Sequence, residues 1–95
     1  MNRTEIENIV EMFDIDEEEV EAMEREYDGD FGEDSIKDVW ENVEEIAFAY
    51  ITKTIPDSVM WVEDYIDYDK LGNDIVDDNY EKYYVLRDGR VVEFK

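Results

Sequence analysis

Apolar side chains recur along this chain at two different periods, and the change from one to the other divides it. Ile6, Ile9, Val10 and Phe13 fall at i, i+3, i+4 and i+7, one face of a helix, and Thr4 with Glu7 has the spacing of a capping box ahead of them. Val20, Met23 and Tyr27 make a second stripe, opened by Asp16 with Glu19 and closed at Asp28-Gly29-Asp30. After Ser35, a suitable cap, the helical period is kept by Ile36, Val39, Trp40, Val43, Ala47 and Tyr50, with an interruption near Asn42 and an end at Thr54-Ile55-Pro56-Asp57. Pro56, the one proline, stands where a short fourth helix can begin, with Val59, Val62 and Ile66 on one side. Tyr68, Leu71, Ile75 and Val76 mark a fifth.

From Tyr80 onward the pattern is that of strands. The runs Tyr83 to Arg87 and Arg90 to Phe94 flank Asp88-Gly89, the signature of a two-residue type I′ hairpin. In that register Val85 opposes Val92 and Tyr83 opposes Phe94, while Leu86 and Val91 form an apolar pair on the other face. A lone hairpin cannot hide both faces. One should pack on the helices, and the other is left for a further element or a second subunit. The expected fold is α+β and mainly α, with about five short helices and a C-terminal β-hairpin or small antiparallel sheet. It divides into an acidic helical subdomain over 1–41 and a second part, helices plus hairpin, over 42–95.

Charge changes this picture more than anything else in the composition. Thirty Asp and Glu against nine Lys and Arg give the 95 residues a formal charge of −21. Residues 79–95 hold Glu81, Asp88 and Glu93 against Lys82, Arg87, Arg90 and Lys95, a net of +1, so residues 1–78 carry −22. Acidic chains with few aromatics are disordered, but seven Tyr, four Phe and two Trp point to a folded domain. Like charge at this density opposes compaction, so the surface reads as one kept for a partner that binds polyanions. Nucleic acid and anionic membrane surfaces would be repelled.

Several kinds of chemistry find no footing. With neither cysteine nor histidine, disulfides and the usual zinc ligand sets cannot be built. The longest apolar run, Ile46 to Ile51, is too short to span a bilayer, and the N-terminus lacks a signal-peptide pattern, so a cytoplasmic setting is expected. Asp67, Asp69, Gly72 and Asp78 match positions 1, 3, 6 and 12 of a calcium-binding EF-hand loop, but position 5 is Leu71 and the closing Glu is missing. The same residues fit the stripe of the fifth helix. Carboxylate pairs are uninformative among so many acids, and Ser35 and Ser58 have no histidine to activate them. No catalytic residue, metal or cofactor is expected.

A compact domain of this length has a radius of gyration of about 12 Å and a diameter of roughly 32 Å. That length of duplex DNA bears roughly 19 phosphates, close to the net charge here. A scaffold of short helices holding carboxylates at such density would compete for the Lys and Arg rows of a DNA-binding channel.

The stretch Val43-Glu44-Glu45-Ile46-Ala47-Phe48-Ala49-Tyr50, then Ile55-Pro56-Asp57, then Tyr65-Ile66-Asp67-Tyr68-Asp69-Lys70-Leu71-Gly72-Asn73-Asp74-Ile75 and the closing hairpin resembles the C-terminal domain of the ArdA antirestriction proteins. The first forty residues resemble that family's acidic helical middle domain. The resemblance implies a DNA mimic encoded on a phage or mobile element, acting in the host bacterial cytoplasm. Its implied action is to inhibit a type I restriction-modification enzyme by occupying the DNA path. Family members act as elongated dimers, which leaves room for a homodimer here. The sequence shows no counterpart of the family's β-rich N-terminal domain and so reads as a shortened version imitating less duplex per subunit. A smaller mimic also suits a CRISPR effector, another defence protein or a regulator. No catalytic residue transfers; what transfers is a distributed acidic face at Glu44, Glu45, Asp57, Asp64, Asp67, Asp69 and Asp74.

The full candidate surface adds residues along every helical segment. It takes Glu17, Glu18, Glu21 and Glu24 from the second helix, Asp28, Asp30, Glu33, Asp34, Asp38 and Glu41 after it, and Glu63, Asp77 and Asp78 further on. An alternative is an interaction adaptor in which the acids serve only solubility and an apolar patch binds. Trp61, Tyr65 and Tyr68, with Leu86 and Val91 on the spare hairpin face, are its candidate residues. An acidic chaperone for a basic protein shares the electrostatics of the first reading.

Overall fold

The structure, a computed structural model, describes residues 2–27 and 29–95. The expected class holds: four α-helices and a long 3-10 segment accompany a small antiparallel sheet whose last two strands are C-terminal. Helix α1 spans Arg3–Phe13 and α2 spans Glu17–Glu26; a 3-10 turn at Glu33–Ser35 leads into β1, Ile36–Trp40. Then come α3 (Val43–Thr54), the 3-10 segment Asp57–Tyr65, α4 (Tyr68–Asp78), β2 (Tyr83–Val85) and β3 (Val91–Phe94).

The strand order is β1-β3-β2, so β3 is central, and each of its faces meets a pair of helices. Val92 and Phe94, with Leu86 and Ile36, close a core with Ile6 and Ile9 of α1, Val20 and Met23 of α2, and Phe31. Val91 points the opposite way into a second core with Ile46 of α3 and Val76 of α4, flanked by Trp40 and Tyr83. The chain is a three-layer sandwich, helices on both sides of one sheet. The near-neutral hairpin belongs to its middle layer, and its neutrality comes from three acids balanced by four bases, most of them exposed.

Four local expectations are corrected. Ser35 caps no helix: its Oγ accepts a hydrogen bond from the Gly32 N–H at 3.1 Å, and the next five residues form β1. The helical spacing of Ile36 and Val39 has a physical cause. A bulge between Ile36 and Asp38 inserts Lys37, so Ile36 and Val39, three apart, both face the first core. Asn42 then caps α3, accepting from the Glu45 N–H at 3.0 Å. At α1 the cap is Asn2, two residues ahead of Thr4, and at α2 Asp16 makes no side-chain capping bond.

The hairpin register is also displaced by one residue. Val85 pairs with Val91, Tyr84 with Val92 and Tyr83 with Glu93. A type I′ turn needs positive φ at both central residues, but only Gly89 has it (φ 97°), and Asp88 does not. The loop has three residues instead: the Leu86 N–H donates to the Arg90 carbonyl at 2.8 Å and the Gly89 N–H to the Leu86 carbonyl at 3.1 Å. This places Leu86 and Val91 in different cores, 2 % and 0 % exposed, so they are not a spare binding face.

Arg90 locks that loop to the first layer. Its Nη1 donates to the Phe13 carbonyl at 2.9 Å, its Nη2 to the Asp14 carbonyl at 2.6 Å, and its Nε to Asp88 Oδ2 at 2.7 Å. These satisfy carbonyls at the end of α1, where Asp14 sits in the left-handed region at φ 54°. Arg90→Ala is expected to cost about 2–3 kcal/mol by urea unfolding, because charged hydrogen bonds are lost and carbonyls are left unpaired. Arg90→Lys should recover only part of it, since an ammonium cannot span the three acceptors as the guanidinium fork does. Hydrogen bonds from the Arg90 backbone N–H and side chain hold the Asp88 carboxyl below its usual range. A depressed folded-state pKa stabilises above the unfolded value, so this contribution is complete at neutral pH and is lost on acidification below about pH 4.

Candidate functional site

The Cα trace measures 49 × 23 × 19 Å with a radius of gyration of 15.1 Å, so the compact sphere expected from chain length is replaced by a rod about twice as long as it is wide. A net 21 charges over 49 Å is one per about 2.3 Å. Duplex DNA carries one per about 1.7 Å. The rod therefore has about three quarters of the duplex's linear charge density.

Both outer layers carry this charge. Burying Val20 and Met23 leaves Glu17, Glu18, Glu21 and Glu24 of α2 in contact with solvent. On the opposite side of the sheet α4 buries Gly72 and Val76 and exposes Asp69, Asp74, Asp77 and Asp78, and Glu44 and Glu45 are exposed on the first turn of α3. Asp57 and Asp64 are exposed, with Glu63 half-buried, along the 3-10 segment; Asp30, Asp34, Asp38 and Glu41 are exposed and Glu33 is half-buried around β1. Asp28 lies outside the described residues. Asp67 caps α4, accepting from the Lys70 N–H at 3.1 Å, so Asp67, Asp69, Gly72 and Asp78 run along a helix and do not wrap a calcium loop. Among the described residues no group of three or more acids is placed to hold a metal ion.

One acid of the Glu17-Glu18-Glu19 run behaves differently. Glu19 is buried, 5 % exposed, and its Oε1 accepts the Arg87 N–H at 2.7 Å, tying α2 to the hairpin loop. It is structural, and not the capping partner of Asp16 that its spacing suggested. Ion pairs elsewhere are mostly exposed and weak: Arg3 with Glu7 and Glu17, and Arg87 with Glu18. Repulsion among the carboxylates thus remains a destabilising load. Raising sodium chloride from about 10 to about 200 mM is expected to increase Tm by about 4–8 °C, the equivalent of about 1 kcal/mol for a domain of this size. A thermal melt series checks it, and a flat or falling Tm would show that the charge is already compensated.

Exposed apolar side chains concentrate after β1. Trp61 (67 %) and Tyr65 (82 %) stand edge to face at 6.2 Å on the 3-10 segment, which buries none of its own residues. Tyr68 is half-buried and packs on Phe48 at 6.1 Å. Its hydroxyl is closed off from solvent and makes no hydrogen bond among the described residues, and burial, with the carboxylates of Glu63 and Asp64, pushes its pKa above the usual phenol value. Beside that ring a groove of about 500 Å³ opens between β1, the start of α3 and the start of α4, walled by Trp40, Phe48 and Tyr68 and bordered by Glu44 and Glu45. Periodicity alone hides this groove, because it sets Trp40 on a helix stripe with Val43 when the residue belongs to a strand. The Trp40 indole N–H donates to Glu93 Oε1 at 2.9 Å, which fixes the ring.

Fold and surface together define a class: a mainly helical α+β sandwich, rod-shaped and acidic on both outer layers. No helix among the described residues is long and apolar enough to cross a membrane. No protein-family model, curated protein or solved structure matches the chain.

Proposed function

We propose that this chain is a DNA mimic that inhibits a DNA-binding host-defence enzyme by occupying its DNA channel. A type I restriction-modification enzyme is the first target to test. The observation that carries the reading is the spread of carboxylates over both outer layers of a rod with about three quarters of the linear charge of a duplex. A channel lined with Lys and Arg for two phosphate strands meets acid on either side of such a rod. Binding then proceeds by release of the counterions that DNA itself would release.

The experiment is a displacement titration. Labelled duplex bound to a type I restriction-modification methyltransferase core is challenged with the protein at two salt concentrations. Stoichiometric, salt-sensitive release of DNA is the expected result. Binding that persists alongside DNA, or is unchanged at high salt, overturns the mimic; failure on this core alone with displacement from a CRISPR effector moves the target and keeps the mechanism.

The Trp61–Tyr65 pair favours a second reading, an adaptor that binds through an aromatic hot spot. There Trp61→Ala alone abolishes partner binding and neutralising several acids does little. The mimic predicts the reverse.

A further inference from the structure

We infer that the groove between Trp40, Phe48 and Tyr68 takes an arginine side chain of the basic partner, giving a surface that is otherwise spread out one fixed point of attachment. The inference rests on the reading above only in requiring a partner rich in Arg and Lys.

Three features select the occupant. The walls are aromatic: Trp40 is held by its bond to Glu93, and Phe48 is 52 % exposed and lies against Tyr68. A guanidinium stacks flat on such faces, and cation–π contact strengthens as the cation loses water. The border is acidic, for Glu44 and Glu45 line the same groove and offer carboxylate oxygens to the guanidinium fork. Tyr68 forms a further wall, and because its hydroxyl is closed off from solvent it offers an occupant its ring rather than a polar atom.

One effect acts in the opposite sense. The N-terminus of α3, capped by Asn42, also borders the groove and presents about half a positive charge. Two carboxylates in that first turn outweigh it, and they equally exclude a phosphate or a carboxylate ligand. An apolar side chain would suit the walls but make no use of the acids at the border. Lysine would satisfy the acids but, as a compact ammonium, stacks less well than the planar guanidinium.

The test uses the full chain, labelled with ¹⁵N, titrated with acetyl-Gly-Arg-Gly-amide and followed through the Trp40 indole N–H and the backbone amides of α3. Saturable shifts confined to Trp40, Phe48 and the start of α3 and α4 are expected. Replacing arginine by its neutral isostere citrulline should remove them, and the lysine peptide should bind at least several-fold more weakly. Phe48→Ala, at a half-exposed position, and the pair Glu44→Gln with Glu45→Gln should each weaken the arginine peptide at least fivefold. Glu18→Gln with Glu21→Gln, on the far layer, should not. Shifts scattered equally over the acids of α2 and α4 overturn the groove, as does a citrulline or leucine peptide binding as well as arginine. No target enzyme enters this titration, so its failure leaves DNA displacement standing, and failed displacement with a positive titration removes the mimic and keeps the groove.

Discussion

Raising salt from about 50 to about 200 mM is expected to weaken the chain's hold on its target about 10²–10⁴-fold, as read by DNA displacement. Proteins that make 6–10 phosphate contacts lose about 10³–10⁵ in affinity for DNA over that range. The rod has about three quarters of the linear charge, so its counterion release and salt slope should be correspondingly smaller. Single neutralisations such as Asp77→Asn should each change affinity less than about fivefold, because exposed pairs contribute only about 0.2–1 kcal/mol. Replacing Glu17, Glu18 and Glu21 together by Gln should lower both affinity and slope. An affinity that stays within threefold across the salt range, with the triple variant unaffected, would mean that the carboxylates are bystanders.

Gly72→Ala is expected to be the most damaging single change to the fold, costing about 3 kcal/mol or more. Gly72 is buried in mid-α4, where a helix ordinarily gains from alanine. Here a β-carbon would lie 2.6 Å from the Val43 carbonyl carbon and closer still to its oxygen, both backbone atoms of α3 that no rotamer change can clear. The helices must separate, and the second core of Ile46, Val76 and Val91 opens with them. Since Tyr68 and Phe48 ride on the same two helices, the variant should also lose the groove. Asp74→Ala, two residues on and exposed, serves as control and should stay within about 0.5 kcal/mol. Urea unfolding of the pair decides the matter; a Gly72→Ala variant as stable as the control would show that α4 can shift at little cost.

The same residue shows what a single sequence makes legible. The helical period placed Gly72 on α4 correctly, through Tyr68, Leu71, Ile75 and Val76, but one chain read alone carries no sign of which neighbour approaches it. The strand β1 was hidden for a related reason: the bulge at Lys37 gives Ile36 and Val39 a spacing of three, which imitates a helix. Asp88-Gly89 announced a hairpin, and the hairpin exists, but the Asp88 carboxylate prefers to accept from Arg90, which settles the loop at three residues and shifts the register. Charge was the most legible property, since total and segregation come from counting. The layering of acidic helices on both sides of the sheet needed the topology, and the groove needed Trp40 on a strand.

Placing β3 between the two helical layers has a consequence for how the chain comes apart. Val91 and Val92, adjacent in sequence and both wholly buried, belong to opposite cores, and Trp40 pairs with Val91 across about fifty residues of chain. Neither helical pair can be released without uncovering one side of that strand, so the two halves melt as one cooperative unit. The amides of β3 then exchange with solvent only through global opening, while those of the 3-10 segment, which buries nothing, exchange through local motion. The seat of the fold is thus the least acidic part of the chain.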